Sequence, residues 1–427
     1  MTHSLVCGAL VVAALTVADL HSGVSARTPE GALAPTPPMG WNSWNKFGCD
    51  VSEALIRETA DAVVSSGMKA AGYQWLVIDD CWQVARDAKG HIVPDPTRFA
   101  SGMKVLGDYV HARGLKFGVY SDSGTKTCQG RPGGHGFETV DAQDYAAWGV
   151  DYLKYDWCHT EGIDAYETYT TMSKALVATG RPIVFSLCEW GRSKPWTWAK
   201  AVGQLWRTTD DIQDCWECAK DKYDSLSVVD ILDLQAPLAQ FAGPDGWNDP
   251  DMLEVGNGGM TETEYRAHFT MWAMLAAPLI AGNDLRHMSE ETKTILLNAD
   301  VIAIDQDPLG KQATRIRDDG DQEVWARPLA DGGEAVALLN RGKAPATIKV
   351  NWSEAPPRGG ASKMTDLWTH KASPVQPEGY EATVPPHGVV AVRIHPAKPV
   401  AAYIFGSRTI SRASLAPITS RISDRSL

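Results

Sequence analysis

Residues 150–156 read VDYLKYD, a short apolar and aromatic run that ends in a carboxylate and decides the predicted fold. Seven other runs share its character: YQWLVIDD (73–80), LKFGVYSD (115–122), RPIVFSLCEW (181–190), QLWRTTDD (204–211) and APLIAGND (277–284), with weaker ones in PPMGWNSW (37–44) and GWNDPDML (246–253). Strands that alternate with helical segments are typical of a parallel sheet. About eight such units in roughly 275 residues match the usual size of a (β/α)8 TIM barrel. We therefore predict this α/β barrel over residues 37–310.

The segments between the runs carry apolar residues at helical spacing. Two examples are SEALIRETADAVVSSGMKAAG (52–72) and MKVLGDYVHARG (103–114), and in the second we expect Val105, Tyr109 and Val110 to share one face. A doubly wound open sheet is the alternative architecture. It normally has a glycine-rich phosphate-binding turn after an early strand, and no G-x-G-x-x-G or P-loop pattern follows one here.

Most of the predicted strands end in charged or polar residues. These ends are Asp79-Asp80, Ser121-Asp122, Asp156, Glu189, Asp210-Asp211 and Asn283-Asp284. A single carboxylate at a strand end usually caps the following helix, but capping does not explain so many of them. In a barrel these ends converge on one face, where the active sites of this architecture lie. The pattern therefore predicts a carboxylate-rich catalytic site.

Asp156 has a local argument for a nucleophile. Lys154 lies two residues earlier, so the two side chains point the same way from one strand. A lysine inside a barrel is costly unless it is paired, and Lys154 beside Asp156 would hold that carboxylate ionised, as a nucleophile requires. A structural ion pair between the two residues is the alternative interpretation.

Two pairs of adjacent aspartates leave a choice. Asp210 and Asp211 point to opposite faces of a strand, so at most one easily faces the site, and Arg207 shares the parity of Asp211. Asp79 and Asp80 pose the same choice, and there the pair suits the binding of sugar hydroxyls, because a carboxylate accepts two hydroxyl protons. Glycoside hydrolysis with retention needs two carboxyl groups ~5–5.5 Å apart, and the residues alone do not select them.

Composition and the N-terminus narrow the partners and the compartment. The formal net charge of −12 argues against nucleic acid as a partner, because phosphate binding needs a basic face. Residues 1–26 are typical of a signal peptide, with an apolar stretch over 5–18 and a small-x-small site at 24–26, and a linker over 27–36 follows. No other apolar run reaches membrane length. We therefore predict a secreted protein without a membrane partner, and the oligomeric state stays open.

Cysteine usage agrees with export. Cys7 is one of eight cysteines and lies in the predicted signal peptide, so an odd number remains and at least one thiol stays free. Cys215 and Cys218 form a single Cys-x-x-Cys pair, which without a second pair is weak support for zinc. We predict neither a metal nor a cofactor.

The pattern of the chain changes after Gly310. Short runs such as EVWARPLA and VVAVRIHP alternate with turn signals such as Asp331-Gly332-Gly333, without helical periods. This predicts a small C-terminal antiparallel β-sandwich domain over residues 311–396. Residues 397–427 are rich in Arg and Ser, and we expect a disordered tail there.

Seven short motifs follow one another across residues 35–310. In chain order they are PPMGWNSWNKFGC, VIDDCW, GVYSDSGTKTC, YLKYDWC, SLCEWG, WRTTDDI and GWNDPDML. They resemble the motifs of the α-galactosidases of glycoside hydrolase family 27, and seven in the family's order are specific where one would be weak. The resemblance implies a retaining enzyme with Asp156 as the nucleophile and Asp211 as the general acid/base, followed by a β-domain.

The resemblance also implies the sugar contacts. They are Trp41, Asp79, Asp80, Tyr120, Lys154, Cys188, Glu189, Trp190 and Arg207. In the family's pattern Asp79 and Asp80 would hold the 4- and 6-hydroxyls of galactose, while Cys188, Glu189 and Arg207 would lie near the 2-hydroxyl. The implied disulfides are Cys49–Cys81 and Cys128–Cys158, with Cys188 left as a thiol and a local Cys215–Cys218 bridge left open.

Few residues decide the sugar within the family. Glu189 followed by the bulky Trp190 favours a free 2-hydroxyl over an N-acetyl group, and the intact Asp79 and Asp80 favour a sugar with a hydroxymethyl group. We therefore expect an α-galactosidase that acts by double displacement on galacto-oligosaccharides or galactomannan. The alternatives are an α-N-acetylgalactosaminidase or a β-L-arabinopyranosidase of the same family.

Two further classes are less favoured by the residues. A catalytically silent galactose-binding protein would lack Asp156 or Asp211, and both are present. A metal-dependent barrel hydrolase would usually recruit histidines, which the predicted strand ends do not contain. The leaving group and the balance between hydrolysis and transglycosylation stay open.

Overall fold

The structure is a computed structural model that describes residues 31–356 and 360–397. Eight parallel strands form the first domain: β1 Met39–Asn42, β2 Trp75–Ile78, β3 Lys116–Asp122, β4 Tyr152–Asp156, β5 Val184–Leu187, β6 Leu205–Arg207, β7 Trp247–Asp249 and β8 Leu279–Ala281. Neighbouring strands pair in chain order from β1 to β7, and β8 pairs with β1. Leu253, just after β7, forms a parallel bridge with Ala281 of β8 and closes the circle. The predicted (β/α)8 TIM barrel is confirmed.

Helices connect the strands of the barrel. The α-helices are Trp44–Phe47, Glu53–Ser65, Met68–Ala71, Gly102–Ala112, Glu138–Trp148, Ala165–Ala178, Val228–Gln235, Glu262–Met274, Glu290–Leu296 and Ala299–Asp305, and the 3-10 helices are Pro195–Thr197, Ala199–Ala201, Ala236–Leu238 and Leu285–His287. The predicted helix over 52–72 is divided at Gly67, whose φ of 91° lies in the left-handed region. Between β5 and β6 the chain forms two 3-10 helices in place of an α-helix.

The helix Gly102–Ala112 buries a different face from the predicted one. Met103, Leu106 and Val110 are buried at helical spacing, whereas Val105 is 48% exposed. The expectation that Val105 and Val110 share a face was wrong, because five residues turn a helix by about 140° beyond a full turn.

Eight further strands form the second domain: β9 Thr314–Asp319, β10 Gln322–Pro328, β11 Glu334–Asn340, β12 Ala346–Asn351, β13 Ala361–Asp366, β14 Ala372–Pro374, β15 Gly379–Val384 and β16 Gly388–Pro396. Six of them form one antiparallel sheet in the order β9-β10-β11-β16-β13-β14, and β12 pairs with β15 in a second sheet. Val336 and Leu338 of the large sheet share an apolar cluster with Ile348 and Val350 of the small one. The predicted antiparallel β-sandwich is confirmed.

A buried arginine joins the two domains. Arg327 of β10 is 0% exposed and donates hydrogen bonds to the backbone carbonyls of Ala273 and Asp305. The last barrel helix ends at Asp305 and β9 begins at Thr314, on either side of the boundary predicted at residue 310. The second domain thus packs against the helix Glu262–Met274, which contains Ala273.

Both ends of the chain extend beyond the described residues. The predicted signal peptide over 1–26, the first four residues (27–30) of the predicted linker over 27–36 and the predicted tail beyond Ala397 lie outside them. Ala34 of the linker is bound to the barrel, because its N–H donates to Asp245 and its carbonyl accepts from Trp247 Nε1. Among the described residues, no helix combines the length and the apolar character that crossing a membrane requires.

Candidate active site

A cavity of about 1050 Å³ opens at the carboxyl ends of the barrel strands. Eight of the predicted site residues line it: Asp79, Asp80, Tyr120, Lys154, Asp156, Trp190, Arg207 and Asp211. They come from the ends of β3, β4 and β6 and from the loops after β2, β5 and β6. The convergence expected of the strand ends therefore brings most of the predicted residues into one space.

Three of the predicted sugar contacts lie behind the wall of this cavity. Trp41 is fully buried and donates from Nε1 to the carbonyl of Asn283 at 2.8 Å. Glu189 is 1% exposed and accepts from the backbone N–H of Ser193 at 2.7 Å. Cys188 is a buried free thiol. None of the three is among the lining residues, and their contact with a sugar stays a prediction.

Asp156 is the last residue of β4 and is buried at the bottom of the cavity. Its Oδ1 accepts from the backbone N–H of Trp157 at 3.0 Å, and the Cys128 sulfur lies 3.6 Å from Oδ2. Burial raises the pKa of Asp156 to about 7, with the positive charge of Lys154 acting against that shift and the negative charge of Asp211 adding to it. The pKa of Asp156 therefore lies near neutral pH.

Asp122 lies beside Asp156, at the paired end of β3. It is fully buried, and its carboxylate accepts from the backbone N–H groups of Gly124 and Cys158 at 2.7 and 2.9 Å. Burial and the neighbouring charge of Asp156 raise the pKa of Asp122 to about 9. Asp122 is not among the residues that line the cavity.

Lys154 pairs with Asp79 and not with Asp156. Its Nζ lies 2.9 Å from Asp79 Oδ2, which also accepts from Asn42 Nδ2 at 2.7 Å. The predicted Lys154–Asp156 ion pair is therefore corrected. Residues two apart on a strand are separated by about 6.6 Å, and the long lysine side chain reaches across the barrel. Its charge still lowers the pKa of Asp156.

Arg207, at the end of β6, is a buried cation between two carboxylates. It is 3% exposed, and Nη2 lies 2.9 Å from both Asp211 Oδ1 and Asp251 Oδ2. Burial acts to raise the pKa of Asp211, but the charges of Arg207 and Lys154 outweigh it and the pKa is lowered. Asp251 also accepts from the backbone N–H of Ile212 at 2.9 Å. This carboxylate therefore ties the residue after Asp211 to the loop that follows β7.

Asp210 lines the cavity together with Asp211. The expectation that only one of the two easily faces the site was wrong, because β6 ends at Arg207 and the alternation of a strand no longer applies beyond it. The two residues differ in their partners. The guanidinium nearest to Asp210 belongs to Arg192, 3.9 Å away on the exposed rim.

The family profile described as Alpha galactosidase A matches residues 36–307, and the profile described as Alpha galactosidase C-terminal beta sandwich domain matches residues 319–394. The chain belongs to the family 27 α-galactosidases. Alpha-galactosidase A of Cellvibrio japonicus (strain Ueda107) is 51% identical to it over 377 residues, which cover 85% of this chain and 93% of the relative.

Two solved structures of α-galactosidases share this fold. Alpha-galactosidase I from Mortierella vinacea is 40% identical with a TM-score of 0.83, over 87% of this chain and 99% of that one. The α-galactosidase from Saccharomyces cerevisiae, solved with raffinose, is 34% identical with a TM-score of 0.78, over 86% of this chain and 99% of that one. The resemblance found in the seven motifs therefore extends over both domains.

The outer wall of the cavity consists of residues that sequence reasoning missed. They are Trp44, Asn45, Lys46, Gln213, Asp214, Asp221, Tyr223, Ser225, Glu254 and Asn257. Glu254 accepts from Asn45 Nδ2 at 2.5 Å and from Asn257 Nδ2 at 2.6 Å, which joins the loops after β1 and β7. Trp44, Asn45 and Lys46 belong to the short helix Trp44–Phe47, and the others lie in irregular segments, where no period marks them. Asp251 was detectable, because it stands in the quoted motif GWNDPDML.

Three disulfides tie loops of the rim of this family 27 α-galactosidase domain. They are Cys49–Cys81, Cys128–Cys158 and Cys215–Cys218. The first two confirm the pairing that the resemblance implied, and the third answers the question left open. Among the described residues Cys188 is the remaining cysteine with a free thiol, as expected.

We predict that Asp251→Asn lowers the free energy of unfolding by about 3 kcal/mol, because it removes the buried one of the two carboxylate partners of a buried guanidinium. The Arg207 and Asp251 side chains are 3% and 6% exposed, so water cannot replace the lost carboxylate. Urea unfolding followed by tryptophan fluorescence measures the change. Asp210→Asn is the matched control, because its contact with Arg192 is long and the two side chains are 34% and 64% exposed. Asp210→Asn should lower the free energy of unfolding by less than about 1 kcal/mol, and equal decreases in both variants would contradict the prediction.

Proposed function

We propose that this protein hydrolyses terminal, non-reducing α-D-galactosyl residues with retention of configuration, using Asp156 as the nucleophile and Asp211 as the general acid/base. The observation that carries the proposal is that both carboxyl groups line one cavity, where the charge of Asp211 raises the pKa of Asp156. Two such carboxyl groups are what retaining glycoside hydrolysis needs. Membership of the α-galactosidase family supports the same reaction and sugar.

The reaction has two displacements at the anomeric carbon. In the first, the Asp156 carboxylate attacks this carbon while Asp211 gives its proton to the leaving oxygen, so a β-galactosyl ester forms as the glycosidic bond breaks. In the second, Asp211 takes a proton from water, and the water oxygen attacks the same carbon. The ester bond breaks, α-galactose leaves and both aspartates return to their first state. Two inversions give net retention.

The first step needs a charged Asp156 and a protonated Asp211, and the free protein does not favour this state. Burial raises the pKa of Asp156, whereas the net pKa of Asp211 is lowered by Arg207 and Lys154 against the effect of burial. In the singly protonated pair the proton therefore lies mainly on Asp156. Arg207 instead favours the Asp211 carboxylate, which is the form that activates water in the second step. The form with the proton on Asp156 and the form with the proton on Asp211 carry the same number of protons, so a change of pH does not alter their ratio.

Recognition of galactose is assigned to Asp79 and Asp80. Asp79 is held by Lys154 and Asn42 through one oxygen, and its other oxygen accepts from the backbone N–H of Asp80. Asp80 accepts from the backbone N–H of Gln129 at 3.0 Å. A carboxylate oxygen has more than one acceptor site, so fixed carboxylates of this kind can still accept from the 4- and 6-hydroxyls. A β-L-arabinopyranoside keeps the 4-hydroxyl but has no hydroxymethyl group, so it would leave the carboxylate for the 6-hydroxyl without a sugar partner.

Trp190 is the residue proposed to oppose an N-acetyl group at the 2-position. It lines the cavity, whereas Glu189 lies behind it. The Trp190 backbone adopts a left-handed φ of 57°, and its ring lies 4.6 Å from the Arg192 guanidinium carbon. A wall held in this way leaves room for a free 2-hydroxyl and favours galactose over N-acetylgalactosamine.

Galacto-oligosaccharides or galactomannan branches are the substrates we propose. The cavity of about 1050 Å³ lies at the upper limit for small-molecule sites, which supports room for more than one sugar unit. The Saccharomyces cerevisiae relative was solved with raffinose, a galactose-containing oligosaccharide. We also propose that the protein is secreted, because the predicted signal peptide and the three disulfides agree with an oxidising compartment.

We predict that 4-nitrophenyl α-D-galactoside is hydrolysed with a kcat/KM at least about 100-fold above that of the α-N-acetylgalactosaminide and the β-L-arabinopyranoside. The physical reasons are the wall at Trp190, which opposes the N-acetyl group, and the missing 6-hydroxyl of the arabinoside, which leaves part of the Asp79 and Asp80 pair without a sugar partner. Initial rates of nitrophenolate release on the three substrates measure the preference. A larger kcat/KM on either analogue would overturn the proposed sugar.

Azide rescue separates the roles of the two aspartates. We predict that Asp156→Gly and Asp211→Gly each lower kcat for an activated aryl α-galactoside by at least about 100-fold, since both act in the reaction. Added azide should restore turnover in both, with different products. With Asp156 removed, azide attacks the substrate once and gives the inverted β-galactosyl azide. With Asp211 removed, azide attacks the ester intermediate and gives the retained α-galactosyl azide.

Asp210→Gly is the control for this experiment, because Asp210 precedes Asp211 and also lines the cavity. It should give no galactosyl azide, and its hydrolysis should stay within about tenfold of the unaltered protein. Nuclear magnetic resonance of the anomeric proton identifies each product. The same azide anomer from Asp156→Gly and Asp211→Gly, or rescue of Asp210→Gly in place of Asp211→Gly, would contradict the assigned roles.

We predict that kcat/KM falls as pH rises through about 7. The pair of Asp156 and Asp211 must keep one proton to protonate the leaving oxygen, and the pKa of its more basic member is about 7. At low pH the rate should fall only when the second proton binds, below the usual range of aspartate, because the pKa of Asp211 is lowered. A pH series of kcat/KM tests this, and Arg207→Gln should move the acidic limb to higher pH. A rate that keeps rising above about pH 8 would contradict the prediction.

A further inference from the structure

The carboxylate assigned as the acid/base stands on a loop and not on a strand. This acid/base loop, residues 208–227, runs from the end of β6 to the next α-helix. Asp211 is 51% exposed by its side chain. Further along, a disulfide joins Cys215 and Cys218, and Trp216 between them is 3% exposed. The position of Asp211 therefore depends on what holds the loop.

A residue of the second domain stacks on this loop. The ring centroids of His387 and Trp216 lie 5.8 Å apart, and the two ring planes differ by 20°. Neither Trp216 Nε1 nor His387 Nε2 has a hydrogen-bond partner among the described residues. The contact between the domains at this point is therefore a stack of two flat rings, which fixes the orientation of the tryptophan.

The other ring nitrogen of His387 is tied to the barrel. His387 Nδ1 lies 2.7 Å from Glu264 Oε1, and Glu264 caps the start of the helix Glu262–Met274. The next residue, Tyr265, donates from Oη to the carboxylate of Asp214 at 2.9 Å. Asp214 belongs to the acid/base loop and lines the cavity. His387 thus contacts the loop directly at Trp216, and its barrel partner lies next to a second anchor of the same loop.

The backbone of the second domain holds the His387 ring in place. His387 has a left-handed φ of 49°, and Pro385 and Pro386 precede it. Asn340 Nδ2 donates to the carbonyls of Val384 and Pro385 at 3.1 Å each. Two prolines restrict the backbone, and a histidine tolerates the left-handed region better than most residues. The ring is therefore fixed before it meets the loop.

We propose that His387 is a positioning residue through which the second domain holds the acid/base loop, so that Asp211 meets the leaving oxygen. The inference rests on the proposed function, because it needs Asp211 as the acid. His387 does not line the cavity, so it acts through Trp216 and Glu264 and not on the sugar. The β-sandwich becomes part of the catalytic apparatus by this contact.

The test compares two leaving groups in the full chain. Raffinose needs a proton on its leaving oxygen, whereas 2,4-dinitrophenolate leaves without one. We expect His387→Ala to lower kcat/KM for raffinose about tenfold, the scale of a small misplacement of a catalytic group. For 2,4-dinitrophenyl α-galactoside kcat/KM should stay within about twofold, since Asp156 is unchanged. Thermal unfolding of each variant is measured alongside.

His370 supplies a matched control. It also lies in the second domain with a left-handed φ, 59°, and its Nδ1 lies 2.7 Å from Asp300 Oδ2 of the barrel. Asp300 belongs to the helix Ala299–Asp305, and neither His370 nor Asp300 is among the residues that line the cavity. His370→Ala should leave kcat/KM on both substrates within about twofold.

A second variant covers the case in which His387→Ala does not fold. His387→Asn keeps a donor near the Nδ1 position and tolerates a left-handed φ, but it removes the ring stack on Trp216. It should show the same selective loss on raffinose. An equal loss on both substrates, or an unchanged rate on raffinose in a folded variant, would overturn the proposal for His387. Full raffinose hydrolysis by Asp211→Gly would overturn the proposed function as well. This variant therefore distinguishes a failure of the proposed function from a failure of the proposal for His387 alone.

Discussion

The site depends on the ion pairs that the buried guanidinium of Arg207 forms with two carboxylates. A cation that is 3% exposed is tolerated only with partners, and removing one partner from such a pair usually costs several kcal/mol. Its partners are Asp211 and Asp251, which stand on the loops after β6 and β7. One charge therefore fixes the geometry of two loops. It also sets the charge state of Asp211, since its field outweighs the burial that would otherwise raise the pKa of this carboxyl.

The other carboxylates of the site are subject to the same constraint: a buried charge needs a partner of opposite charge. A site for a neutral sugar needs many acceptors for hydroxyl protons, but carboxylates crowded at the end of a barrel repel one another. Lys154 offsets part of this repulsion by pairing with Asp79, and its charge also opposes the rise in the pKa of Asp156. Asp122 forms no ion pair with a cation among the residues that the structure describes, and it is buried with a raised pKa. The two cations thus act against the rise in pKa that burial gives Asp156 and Asp211.

Features that follow from strand and helix periodicity could be predicted from the sequence, whereas the positions of side chains on loops could not. The eight strands and the carboxylates at their ends were predictable, because alternation and convergence follow from the barrel itself. The partner of Lys154 was not, since strand parity says where a side chain points and not how far it reaches. Asp210 was misjudged for a related reason: β6 ends at Arg207, and strand alternation ends with it. Most of the outer wall, Glu254 included, was missed because irregular loops carry no period.

The two assigned catalytic carboxyl groups are held by different means. Asp156 ends a central strand, so hydrogen bonds of the sheet and buried neighbours place it. Asp211 stands four residues beyond the end of β6 and is half exposed, so the barrel alone gives it little packing. Its position depends on the ion pair with Arg207 at the end of β6 and on the contacts that hold its loop, among them the stack of Trp216 on His387. A barrel whose acid/base lies on a loop therefore gains from a second domain packed beside that loop, because ordering the loop in advance removes an entropy cost from the reaction.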